Sequence, residues 1–188
     1  MGKTSTSFSR RGILRAFAAT TLTAAPFSAN AFGILRGAGD IRRLRMYSGR
    51  TGESLNTIYW IEGEYIEESL KEINNFMRDW RTDDVVNMDR RNVDILSASQ
   101  NLLDSSEAFT LFSGYRSPKT NAMLRKRGNG VAKKSLHLQG KAADVHLTSR
   151  SVGQIAKAAA ACNAGGVGRY SSSQFVHMDC GPVRSWGS

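Results

Sequence analysis

Two of the chain's three histidines fall within one short stretch, SLHLQGKAADVHL (residues 135–147), on either side of Asp144. If KAADVHL is a strand, side chains alternate and Asp144 and His146 share a face. His137 precedes Asp144 by a loop containing Gly140, and a glycine there lets the chain fold back so that imidazole and carboxylate approach one point. The third histidine, His177, sits in QFVHMD, where a strand places Asp179 on the same face as His177. A zinc ion with three protein ligands and an open position needs such donors at ~2.0–2.2 Å. A His beside an Asp also suits a plain buried or surface pair, so spacing alone leaves both readings open.

The elements that must position these residues are legible from periodicity. IRRLRMY (41–47) alternates apolar and basic residues as a strand does, and LNTIYWIEGEYI reads as a hairpin turning at Glu62-Gly63-Glu64. Apolar residues at 70, 73, 76, 77 and 80 predict an amphipathic helix from Glu67 to Trp80, and MDRRNVDILSASQNLLDSS predicts a second. AFTLFSGY reads as a buried strand. SPKTNAMLRKRG is a short helix entered at Ser117-Pro118 and stopped by Gly128. A helix over 151–163, a glycine turn AGGVGRY and the strand QFVHMD complete the chain. Strands and helices come in blocks, which predicts an α+β fold with a small, largely antiparallel sheet flanked by helices.

Before this body comes SRRGILR followed by an alanine-rich apolar run ending Ala29-Asn30-Ala31. A basic segment, a short apolar segment and an A-x-A end predict a cleaved signal peptide over residues 1–31. The paired Arg10-Arg11 give it the twin-arginine character of a periplasmic export signal. Residues 32–188 then form one domain, without a membrane span and without a lipid-anchor cysteine. Four of the 26 basic residues and none of the 16 acids fall in the leader, so the remainder keeps a net charge of about +6. That excess suits an anionic surface. Export, and the lack of zinc-finger spacing or a long basic run, argue against nucleic acid. Cys162 ends a helical run and Cys180 follows a strand, so the two either pair in an oxidising compartment or stay as buried thiols.

SLHLQGKAAD resembles the S-x-H-x-x-G-x-A-x-D signature of the M15-type zinc D-Ala-D-Ala peptidases. SGYRSPKTN (113–121) and GGVGRYSSSQFVHMDCGPVRSW (165–186) match in order, and with LRMYSGRTGES and the hairpin the likeness covers roughly residues 40–186. It is nearest the exported murein endopeptidase branch. The resemblance implies a Hedgehog/D-Ala-D-Ala peptidase-like fold and Zn²⁺ held by His137, Asp144 and His177. It also implies an Arg116 that faces the substrate carbonyl, where a fixed guanidinium lowers the barrier to a developing oxyanion. Ser135 would cap the ligand turn, and Tyr115 and Asn121 would shape the cleft. Better-known members carry an acid three residues before the last histidine ligand, or a His two before it; here those positions are Gln174 and Phe175, neither of which takes a proton at neutral pH. Asp179 and His146 are the remaining candidates for the proton-transfer role, Asp179 first, and either would serve instead to orient a ligand imidazole. The implied substrate is the peptide stem of peptidoglycan, cut by a monomer. A carboxypeptidase or a wall-binding module without turnover are the alternatives.

Overall fold

The computed structural model describes residues 38–128 and 131–187, so the expected leader lies outside the described residues. In chain order the elements are β1 (Ile41–Tyr47), β2 (Ser54–Ile61), β3 (Glu64–Tyr65), α1 (Glu67–Phe76), α2 (Arg90–Leu102), β4 (Phe109–Ser113) and α3 (Pro118–Arg127). A 3-10 turn Leu136–Gln139 follows, then β5 (Ala142–His146), α4 (Val152–Ala161), β6 (Gly166–Tyr170), β7 (Phe175–Asp179) and β8 (Arg184–Gly187). The strands form one sheet in the order β3-β2-β1-β4-β5-β7-β6-β8. Only β1–β4 and β6–β8 run parallel; the other neighbours are antiparallel, giving the expected α+β architecture.

Alternation builds the first half. Leu44 and Met46 of β1 point into the core with Leu55 and Tyr59 of β2, while Ile41 and Tyr47 stay exposed. Glu62 and Gly63 both take positive φ, which is the backbone a tight hairpin turn requires. Helix α2 lies across the sheet and buries polar as well as apolar residues. Gln100 bonds both backbone groups of Arg45, Ser97 donates to the Arg43 carbonyl, and Asn92 donates to the Met178 carbonyl. On β1, Gln100 and Ser97 take up backbone groups that β4, paired only at Met46 and Tyr47, does not reach.

Two expectations are corrected. Helix α1 stops at Phe76 rather than continuing to Trp80. The cause is Asp79, whose carboxylate accepts from the Arg81 and Ser117 amides while its carbonyl accepts from Thr82 and Asp83. A short acid that offers the backbone these bonds competes with the helix. Of the stretch read as a glycine turn, AGGVGRY, only Ala164 and Gly165 bend; Gly166–Tyr170 is strand β6, and Arg184–Gly187 adds the unexpected β8 at its edge. Both cysteines are buried free thiols. Cys162 packs with Ala38 and Ala98 while Cys180 belongs to the main core, so of the two alternatives the unpaired one forms.

Candidate metal centre

His137 sits on the 3-10 turn, which Ser135 caps by accepting from the His137 amide at 3.3 Å. Gly140 ends the turn at φ 64°, a left-handed conformation glycine adopts without strain, and a Cβ there would lie 2.9 Å from the Asn87 carbonyl. The His137 ring is fixed from behind. Nδ1 lies 2.7 Å from the Gly114 carbonyl, which can only accept, so Nδ1 carries the proton and Nε2 faces the site with a lone pair. Gly114 is held by a close approach to Met77: a Cβ there would fall 2.4 Å from the Met77 carbonyl, and Tyr115 donates to that same carbonyl.

Asp144 on β5 pairs directly with His177 on β7, so neighbouring strands set the two side chains on one face. His177 Nε2 lies 3.0 Å from Asp179 Oδ2, a carboxylate oxygen that accepts, which leaves Nδ1 unprotonated toward the site in the neutral ring. The three inward atoms converge. His177 Nδ1 is 2.9 Å from Asp144 Oδ1, His137 Nε2 is 3.3 Å from the same oxygen, and the two ring nitrogens are 3.2 Å apart. Donors 2.0–2.1 Å from one tetrahedral ion stand about 3.3 Å from one another, so the set fits zinc without rearrangement. With His177 neutral, two ring lone pairs and an anionic oxygen crowd together, and either a proton on His177 Nδ1 or a cation would relieve them.

Without a metal, a proton takes the place of the cation. Burial opposes charge on His177, but its bonds to Asp144 and Asp179 outweigh burial and raise its pKa from 6.5 to about 9. Burial likewise works against the Asp144 carboxylate, yet His137 and His177 hold its pKa far below the ordinary range. Arg116 leads from β4 toward α3, with its amide bonded to the His137 carbonyl at 3.1 Å. Its guanidinium stands 3.7 Å from Asp144 Oδ2, with Asn121 Oδ1 at 3.4 Å and Ser113 Oγ at 3.5 Å. Burial lowers its pKa against the pull of Asp144, but a guanidinium stays charged at neutral pH.

The cluster opens into a cleft of about 710 Å³ whose lining includes Arg116, Lys134, Tyr170, Phe175, Arg184 and Trp186. Asp144 is the only carboxylate on that lining among the described residues, so the cleft is cationic. Neither expected proton carrier lines it. Asp179 is fully buried behind His177, held by Arg184, Gly166 and Gly181. His146 lies farther along β5, opposite Thr110 and 6.1 Å from the Phe112 ring, with Nδ1 buried and without a hydrogen-bond partner among the described residues. Gln174 turns its amide onto the Ser171 carbonyl, while Phe175 stacks on Tyr170. Sequence reasoning missed Arg184, Trp186 and the role of Gly166 and Gly168. Their signal was the period of two in G-V-G, which marks a strand with one bare face.

Converging histidine and carboxylate donors beside a half-buried guanidinium and an open cleft form the donor set that single-metal hydrolases use. The chain belongs to the M15 peptidases: residues 36–186 match the family described as peptidoglycan L,D-endopeptidase MepK. It is 43% identical over 145 residues to the peptidoglycan L,D-endopeptidase MepK of Escherichia coli K12, covering 77% of this chain and 80% of that protein, and equally similar to the one from Shigella flexneri. The probable enzyme of that name from Haemophilus influenzae is 36% identical over 137 residues, or 72% of this chain and 74% of its own. Among the described residues no helix is long and apolar enough to cross a membrane.

Proposed function

We propose that this chain is a zinc-dependent peptidoglycan L,D-endopeptidase, exported to the periplasm by the twin-arginine route and acting as a monomer on the peptide cross-links of the wall. The observation that carries the reading is the mutual spacing of His137 Nε2, Asp144 Oδ1 and His177 Nδ1, all near the edge length of a zinc tetrahedron, at the floor of a cationic cleft. Family membership and the names of the relatives supply the substrate class.

His137, Asp144 and His177 are the residues that would hold the ion. A zinc ion there supplies Lewis acidity, lowering the pKa of water toward ~7 and polarising a carbonyl. The remaining work belongs to the protein. Arg116, fixed by Asn121 and Ser113, presents a permanent positive charge beside the donor set, where a peptide carbonyl becomes an oxyanion. Asp179 keeps the proton of His177 on Nε2 and so orients the ring; its position behind His177 suits that role rather than proton transfer at the cleft. Lys134 adds positive charge along the wall and suits the carboxylates of peptide stems.

Isolated sacculi incubated with residues 32–188 test the reading. Release of cross-linked muropeptides that stops on chelation and returns with added Zn²⁺ is the expected result. Sacculi left unchanged while the protein stays bound would favour a binding module, and release of terminal D-alanine alone would favour a carboxypeptidase.

A further inference from the structure

His177 reaches the donor set through Nδ1, the ring nitrogen nearer its own backbone, so small rotations of the imidazole swing that atom away from His137 and Asp144. What holds the ring comes from the last strand. Asp179 has no exposed surface, and every bond its oxygens make is with the protein. Oδ1 accepts from Gly166 N at 3.2 Å, Gly181 N at 2.8 Å and Arg184 Nη1 at 3.1 Å; Oδ2 accepts from Arg184 Nη2 at 2.7 Å and from His177 Nε2 at 3.0 Å. The two-pronged grip of Arg184 sets the plane of that carboxylate, as a rigid guanidinium fork does. The flank of the imidazole is held as well. Trp186 stands 5.3 Å from the His177 ring, Arg184 lies over its indole at 4.8 Å, and its Nε1 donates to Tyr170 at 3.1 Å.

Strand β6 makes room for this. A Cβ at Gly166 would lie 2.4 Å from Arg184 Nη1 and 2.6 Å from Asp179 Oδ2, and one at Gly168 would lie 2.6 Å from the Trp186 indole. Two bare positions on one strand face, each filled by a side chain of the next strand, are unusual for a sheet interior, where glycine costs stability. An ordinary exposed ion pair would contribute little; here the partly exposed Arg184 secures an anion that water does not reach.

We propose that β8 is a buttress of the metal centre, with Arg184 a positioning residue that acts through Asp179 to aim His177 Nδ1 at the ion. This rests on the reading of His137, Asp144 and His177 as ligands. The test compares wild type with Arg184→Gln and Arg184→Lys for Zn²⁺ affinity, by competition with a chromogenic chelator, and for the visible spectrum of the Co²⁺-loaded protein. Arg184→Gln weakens Zn²⁺ binding by about 10–100-fold and changes the cobalt bands, the range seen when partners of metal-binding imidazoles are removed. Arg184→Lys falls between, because an ammonium keeps the charge but not the fork. A role confined to folding would lower the melting temperature and leave both readings of the folded variants at wild-type values, and that result overturns the proposal. Should Arg184→Gln fail to fold, Arg184→Lys decides by the same two readings. A wild-type chain that takes up neither ion overturns the metal reading and the buttress with it; a wild type that binds and variants that match it overturn the buttress alone.

Discussion

Two buried polar clusters sit on the same sheet and behave in opposite ways. In the first half, Asp94 of α2 accepts from Tyr59 at 2.9 Å and Tyr65 at 2.6 Å and pairs with Arg42 at 2.8 Å, while Arg42 lies 4.2 Å over Trp60. Donors meet acceptors on both carboxylate oxygens, and burial with the nearby Asp94 charge pushes both tyrosines well above the ordinary phenol range. In the second half, one carboxylate oxygen and two ring nitrogens converge with their lone pairs inward and a cleft in front. Apart from Arg42 Nε, which has no partner among the described residues, the first cluster pairs its charges without a ligand. The second is short of donors, a gap that a proton on His177 fills below its raised pKa and that a cation would fill in its place. Burial of charge therefore does not mark a functional site; an unmatched set of acceptors does.

Changes that break this contrast fall in order of size. Asp94→Ala leaves Arg42 buried without its anion and costs about 3–5 kcal/mol in chemical denaturation, yet the folded fraction keeps its full complement of metal. Arg116→Ala does the reverse: metal content and melting temperature stay near wild type while kcat on cross-linked muropeptides falls about 10²–10³-fold, the loss typical of a removed oxyanion donor. Gly168→Ala forces a methyl into the Trp186 indole and costs about 1–3 kcal/mol as overpacking does, with metal affinity falling alongside because Trp186 flanks His177.

The pH dependence sharpens the contrast further. His177 is raised above its unfolded value, so its proton stabilises the metal-free fold in full below pH 6.5 and that contribution fades as pH rises through about 9. A metal needs the unprotonated ring, so affinity moves the other way, rising up to about tenfold per pH unit between those limits. Titration calorimetry at pH 7 in two buffers of different ionisation enthalpy checks this: the apparent binding heats differ by the proton released. The Asp94 cluster is expected to contribute nothing to that difference.

The two halves also differ in how far the sequence disclosed them. Strand β1 was readable to its ends because Leu44 and Met46 alternate with exposed positions, and the hairpin because Glu62-Gly63 turns it. The convergence of His137, Asp144 and His177 was readable because histidines are scarce here and strand alternation groups them with acids. The end of α1 was hidden, since Met77 and Trp80 keep the helical period while Asp79 takes the backbone bonds. β6 was hidden because glycine signals a turn when it stands alone, and only the side chains of β8, distant in type and later in sequence, explain its bare face. Strand spacing sets Asp179 beside His177, which made it the first candidate for proton transfer; that it sits behind the ring, away from the cleft, is what spacing does not show.

Metal content is the most direct test of the central claim. Native mass spectrometry with elemental analysis of residues 32–188 purified without chelator is expected to find one zinc per chain, and none in His177→Ala folded to the wild-type circular dichroism spectrum. A folded wild-type chain that holds no divalent ion after incubation with Zn²⁺, or a His177→Ala chain that holds it as well as wild type, would contradict the account.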